Sequence, residues 1–158
     1  MKALFSGTFD PVTCGHVDLI RRAASLFDEV YAVVFNNTEK TAMFTLSERC
    51  AYLKAACRGF DNVTVDVCDG LLAAYTEAHG IGVILRGVRD ASDVAYEISL
   101  ATINRGLRNR PETIFLPSAP AFSHVSSTYA RNMIQYRESL TGVIPEEALA
   151  LMRADGKI

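Results

Sequence analysis

Short apolar runs and stretches of helical periodicity alternate from one end of this chain to the other. Ala3-Leu4-Phe5 predicts a strand that runs into a turn of small residues, and a helix starts at or near Gly15-His16. Val17, Ile20, Ala24 and Phe27 then recur at helical spacing. Glu29 to Phe35 is almost continuously apolar, as suits a parallel strand covered on both faces. Thr45-Leu46-Ser47-Glu48 spells a capping box, and its helix runs through Arg49, Leu53 and Cys57 to a stop near Gly59. Val63 to Cys68 alternates like an edge strand, and Leu71 to His79 predicts a short helix ended by Gly80. Val83-Ile84-Leu85 is a buried fourth strand that ends in Arg86-Gly87-Val88-Arg89. A long helix follows from Ser92 to Leu107, then a fifth strand, Thr113 to Leu116. Ser126 opens another helix, and a last one carries Pro145 in its first turn.

Strict alternation of strands and helices, joined by right-handed crossovers, predicts an α/β fold. The expected architecture is one Rossmann-like domain spanning residues 1–158, with a parallel five-stranded sheet and helices on both faces. In such sheets ligands lie beyond the carboxyl ends of the strands. That rule draws five distant segments to one rim. They hold Thr8 and His16, then Lys40, then Leu71 and Leu72, then Arg86 and Arg89, and finally Ser126, Ser127 and Thr128.

Composition narrows the partners. The chain has 158 residues, about half of them apolar, and a net charge of −2. Such a chain has no global field for nucleic acid or an anionic membrane, so any anionic ligand must be met by a local cluster of cations. No charged-then-apolar leader precedes the first strand, and no apolar run reaches membrane-spanning length. Cys14, Cys50, Cys57 and Cys68 lack C-x-x-C spacing, which argues against a zinc site or redox pair. Cys50 and Cys57 fit a buried helical stripe, and the whole pattern suits a reducing, cytoplasmic setting.

The candidate chemistry is phosphate binding. Helix N-termini carry unpaired N–H groups and the positive end of the helix dipole. The turn Gly7 to His16 leads into one such terminus, with Gly15 allowing close approach, Thr8 and Thr13 offering hydroxyls, and the His16 ring within reach. A turn between strand and helix also favours Gly, Thr and Asp for its own sake. Ser126-Ser127-Thr128-x-x-Arg131 begins a second helix and a second anion site, or an ordinary capped start. Arg86 and Arg89 flank Gly87 at a strand end, where guanidinium forks could grip phosphate or form a solvated turn. Glu97 could hold a ribose or an arginine. Neither G-x-x-x-x-G-K-[ST] nor G-x-G-x-x-G is present, and His79 and His124 have no evident partner.

The string Gly-Thr-Phe-Asp-Pro-Val-Thr-x-Gly-His, beginning at Gly7, contains the (Thr/His)-x-Gly-His signature of the nucleotidyltransferase superfamily. It resembles the bacterial phosphopantetheine adenylyltransferase family, and the likeness extends through Arg86-Gly87-Val88-Arg89, Tyr96-Glu97, Asn104-Arg105 and Val125-Ser126-Ser127-Thr128. The resemblance implies adenylyl transfer from ATP to 4′-phosphopantetheine, giving dephospho-coenzyme A and pyrophosphate. It implies His16 as transition-state stabiliser, with Lys40 and Arg89 beside it in the catalytic set. Thr8, Lys40, Leu72 and Arg86 fall at acceptor-binding positions. Thr8, Phe9, His16, Gly87, Val88, Arg89 and Glu97 fall at ATP-binding positions. So does the run Phe122, Ser123, His124, Val125, Ser126, Ser127 and Thr128. Mg²⁺ bound through ATP phosphates and water is the expected cofactor, coenzyme A an expected feedback inhibitor, and a homohexamer the expected assembly. Three departures stand out. Lys40 is followed by Thr41-Ala42, Cys14 fills the variable slot beside Gly15 at a helix start that lowers thiol pKa, and Phe122-Ser123-His124 replaces a more usual aromatic-Ser-aromatic spelling. A sister enzyme acting on nicotinamide mononucleotide or a phosphorylated alcohol would share the His16 and Ser-Ser-Thr motifs, and a non-catalytic nucleotide sensor would bind ATP without turnover.

Overall fold

A computed structural model describes residues 1–36, 41–106 and 109–158. Five strands run in parallel: β1 (Lys2–Gly7), β2 (Glu29–Phe35), β3 (Val63–Cys68), β4 (Val83–Val88) and β5 (Glu112–Pro117). The helices between and after them are α1 (Cys14–Leu26), α2 (Leu46–Ala56), α3 (Leu72–His79), α4 (Ala91–Arg105), α5 (Ser127–Gln135) and α6 (Glu146–Ala154). A single 3₁₀ turn, Pro120–Phe122, precedes α5. Strand order is β3-β2-β1-β4-β5. The chain therefore leaves β1 toward one edge through β2 and β3, then returns to β4 and moves toward the other. The crevice between the carboxyl ends of β1 and β4 is the topological switch point.

The period of two along each strand sorts the core. Ala3 and Phe5 of β1 join Ala32, Val34 and Leu85 on one face, against Leu19 and Ile20 of α1 and Tyr52 and Leu53 of α2. Leu4, Val33 and Ile84 face the other way, against Tyr75 of α3. Burying this apolar surface is the main favourable term in holding the sheet. α4 contributes little to it: of its fifteen residues only Glu97 is buried. Among the described residues no helix is long and apolar enough to cross a membrane.

The predicted elements are all present, with four adjustments. β4 runs three residues past Leu85, because Arg86, Gly87 and Val88 continue the pairing with Phe115, Leu116 and Pro117. Arg86 thus projects from a strand rather than from a loop. In α1 the deepest residues are Asp18, Leu19, Ile20 and Ala23, while Val17 and Phe27 pack only at the core's margin, so the apolar stripe is rotated from the predicted one. Pro145 sits at the N-cap of α6 in extended conformation, one place before the predicted first turn. α4 begins at Ala91, and Leu107, its predicted end, lies outside the described residues.

Candidate active site

The switch point opens into a cleft of about 570 Å³. Thr8 and Phe9 from the turn after β1, His16 of α1, Leu72 of α3, Arg86 and Gly87 of β4, Arg89 and Glu97 line it, together with Phe122, Val125, Ser126 and Ser127. Segments as far apart as Phe5 and Ser127 therefore meet on one rim, as the carboxyl-end rule predicts. A smaller pocket of about 200 Å³ adjoins it, sharing Thr8 and Ser127 and adding Asp10, Arg49, Thr128 and Arg131.

His16 is built into the start of α1. Thr13 is the N-cap and His16 the third helical residue, and the two form a reciprocal capping box. The His16 main-chain N–H donates to Thr13 Oγ1 (3.3 Å), and His16 Nδ1 accepts from the Thr13 main-chain N–H (3.0 Å). An Nδ1 that accepts is unprotonated, so the neutral ring carries its hydrogen on Nε2. Phe9 packs edge-on against the ring at 5.0 Å and Phe5 lies at 6.3 Å. Burial, then the Arg89 and Arg86 charges, push the His16 pKa down to about 4. His16 is thus a neutral donor, not one of the cations that the sequence groups at this rim. Thr13 is almost wholly buried as a cap, with its hydroxyl accepting from the His16 N–H, and it still borders the cleft. The Cys14 N–H is spent on the Val143 carbonyl (2.9 Å), which leaves this helix start a narrower anion site than the sequence suggests.

Both arginines are already paired. Arg86 donates through Nε (2.7 Å) and Nη2 (2.6 Å) to the two oxygens of Glu97, and through Nη1 to the Ser6 carbonyl (3.0 Å). Such a fork-to-fork pair fixes the guanidinium plane and leaves the outer N–H groups for a ligand. Glu97 is buried and takes the arginine-holding alternative of its two sequence readings. Arg89 donates to Asp93 through Nε (2.8 Å) and Nη2 (3.2 Å), which holds the Asp93 carboxyl below the usual range and raises the guanidinium pKa. These four groups carry no net charge between them, so what the cleft offers an anion is oriented donors more than excess cation. Gly87 lets β4 close on α1, since a Cβ there would come within 2.4 Å of Leu19 Cδ1.

At the start of α5, Ser126 caps by accepting from the Tyr129 N–H (3.0 Å). Ser127 Oγ donates to the Pro11 carbonyl (2.8 Å), and Thr128 Oγ1 accepts from Arg131 Nη2 (3.1 Å). Arg131 Nη1 also donates to the Asp10 carbonyl (2.6 Å). The two helix starts, α1 and α5, are in this way tied to one turn.

Not every expected residue lines the cleft. Val88 is buried behind it, and Ser123 and His124 are exposed outside its lining, the His124 ring lying against Tyr129. Thr128 borders the smaller pocket, Leu71 is exposed outside both linings, and Lys40 lies outside the described residues. The Cys14 thiol has a raised pKa, from burial and from Glu146 and Glu147, contrary to the expected lowering at a helix start. Cys50 and Cys57 are core residues as expected. Sequence reasoning missed Asp93, Arg49 and the role of Asp10. Asp93 was findable from its spacing of four from Arg89. Arg49 was hidden because a charged residue in a helix reads as solvent-facing.

This fold, with a His-bearing helix start and a Ser-Ser-Thr helix start on one cleft, defines a nucleotidyltransferase. The chain belongs to the cytidylyltransferase-like family, whose model matches residues 4–133. It is 41% identical over 152 residues to the phosphopantetheine adenylyltransferase of Thermotoga neapolitana, covering 96% of this chain and 94% of that one. At that identity and coverage its place within the family is with the phosphopantetheine adenylyltransferases. A crystal structure from Vibrio parahaemolyticus, provisionally named a nicotinate-nucleotide adenylyltransferase, shares the fold with a TM-score of 0.70 at 19% identity. That likeness covers 99% of this chain and 93% of that one.

Proposed function

We infer that this chain transfers the adenylyl group of ATP to the phosphate of 4′-phosphopantetheine, giving dephospho-coenzyme A and pyrophosphate. The relative from Thermotoga neapolitana supports the choice of acceptor. The observation that carries the mechanism is the neutral His16, with its Nε2 hydrogen free to donate and its ring on the cleft shared with Arg86, Arg89 and Ser127.

An oxygen of the acceptor phosphate attacks the α-phosphorus of ATP, a P–O bond forms there, and the bond to the β-phosphate breaks as pyrophosphate leaves. The nucleophile is anionic at neutral pH, so no base must take a proton from it. What remains is positioning and the stabilisation of spreading negative charge. His16 Nε2–H donates to an oxygen of the reacting phosphate. Arg86, held flat by Glu97, orients the acceptor beside Thr8 and Leu72. Arg89 and the start of α5 hold the triphosphate, and Gly87 and Phe122 border the nucleotide. Lys40 is proposed to join them from the loop after β2.

Mg²⁺ is part of this reading as an ion carried by the triphosphate. Among the described residues no group of three or more His, Cys, Asp or Glu side chains is placed to hold a metal, and Glu97 and Asp93 are engaged by arginines. The ion is proposed to be ligated by phosphate oxygens and water. Coenzyme A, which shares both halves of the product, is proposed to compete at the same cleft. A homohexamer and a cytoplasmic setting complete the proposal; the four free cysteines suit the latter.

The test is exchange of labelled pyrophosphate into ATP by the purified protein with each acceptor in turn. Expected are exchange with dephospho-coenzyme A as adenylyl donor, and net product from ATP with phosphopantetheine as the one acceptor that turns over. Turnover of nicotinamide mononucleotide instead would establish the sister reading, and ATP binding without turnover of any acceptor the sensor.

A further inference from the structure

We propose that Arg49, acting together with Asp10, is a positioning residue that fixes the main chain at Thr8 and so aims the Thr8 side chain at the junction of the cleft and the smaller pocket. The proposal rests on the reading that substrate phosphate binds at Thr8.

Arg49 lies in the first turns of α2, yet only 4% of it is exposed. Its acceptors among the described residues are three main-chain carbonyls from three segments. Nε donates to Phe44 (3.1 Å), and Nη1 donates to Thr8 (2.8 Å) and, at the limit of a hydrogen bond, to Phe35 (3.5 Å). These are the ends of β1 and β2 and the residue before the cap of α2. Asp10 grips the same place from the other side. Its carboxylate accepts from the Met43 N–H and the Phe44 N–H, both at 2.9 Å. Phe44 is thus held by its N–H to Asp10 and by its carbonyl to Arg49, while its ring packs edge-on against Tyr52 at 5.4 Å. Thr8, two residues before Asp10, is held by the other arm of the same guanidinium.

Stability alone does not call for an arginine here. A buried guanidinium loses its hydration, and replacing buried charge by a well-packed apolar side chain is often neutral or stabilising. Neighbouring buried positions of α2 are filled by Cys50, Tyr52 and Leu53. What arginine adds is a rigid planar fork that can reach several carbonyls at once, which the single ammonium of lysine cannot reproduce. The carbonyl it fixes belongs to the one turn residue that, with Ser127, borders both cavities. A shift of the Thr8 main chain would turn its side chain away from the acceptor phosphate and weaken the grip on that substrate before any other step.

The test is a double-mutant cycle of Arg49→Lys with Thr8→Ala, following KM for 4′-phosphopantetheine, kcat and the melting temperature. Arg49→Lys alone should raise KM about tenfold with kcat within about threefold of wild type, the signature of weakened acceptor binding rather than of lost active protein. In the Thr8→Ala background, where KM is already raised, Arg49→Lys should add nothing. An unchanged KM in Arg49→Lys overturns the proposal. So does the same fold increase in both backgrounds, or a loss confined to kcat. Should Arg49→Lys fail to fold, Asp10→Asn in the same two backgrounds carries the same expectation and the same refutation. A wild-type protein inactive with phosphopantetheine would overturn the functional reading and this proposal with it. An active wild type with an additive cycle overturns this proposal alone.

Discussion

His16 draws its chemistry from its neighbours. Thr13 fixes the tautomer through its N–H, Phe9 and Phe5 dry the ring, and the arginines hold it neutral. Phe9 does this from a positive φ of 46°, a strained value for a bulky residue that the packing over-determines. His16→Ala should lower kcat roughly a hundredfold or more, the scale of a lost transition-state donor. Near-normal turnover would remove His16 from the mechanism. The same residue sets a pH dependence. Unfolded, the ring binds a proton near its ordinary 6.5; folded, it resists until about 4. Between those values the unfolded state holds more protons, so stability is complete above the upper value and is lost as pH falls through the window. Melting of the ligand-free wild type should therefore drop more steeply from pH 6.5 toward 4 than that of His16→Gln.

At the scale of elements, what was legible in the sequence was whatever local chemistry encodes. The capping box at Thr45, the left-handed stop at Gly80 and the Ser126 cap all stand where their spelling puts them. The true end of β4 was not legible, because it depends on pairing with β5, a partner more than twenty residues away. Glu97 could be read as holding a ribose or an arginine, but the choice of Arg86 rests on how α4 packs beside β4. Asp10 could be read as a turn former, but its grip on Phe44 needs contact across thirty-four residues. α4 poses a separate question. It exposes Ile98 (51%) and Ile103 (64%) away from the cleft, and it leaves the edge strand β5 half covered. Surface of this kind is costly to leave in water, and self-association would cover it. Light scattering should find a hexamer for the wild type and smaller species for Ile98→Glu combined with Ile103→Glu. A wild-type monomer would contradict the proposed assembly.

For the whole molecule, the decisive fact is a strand order that reverses between β1 and β4. The reversal opens one crevice, and among the described residues the turn after β1, the end of β4 and the start of α5 meet there. Net charge of −2 is no obstacle to the proposed chemistry, since the cleft presents directed N–H donors whose carboxylate partners keep them in place. Among the described residues, the smaller pocket carries a surplus of cation, with Arg49 and Arg131 against Asp10. The most direct measurement is a crystal structure with dephospho-coenzyme A bound. Its adenosine-side phosphate should lie within about 3 Å of His16 Nε2, between Arg89 and the first turn of α5. A product seated elsewhere, with that phosphate out of reach of His16, would contradict the account.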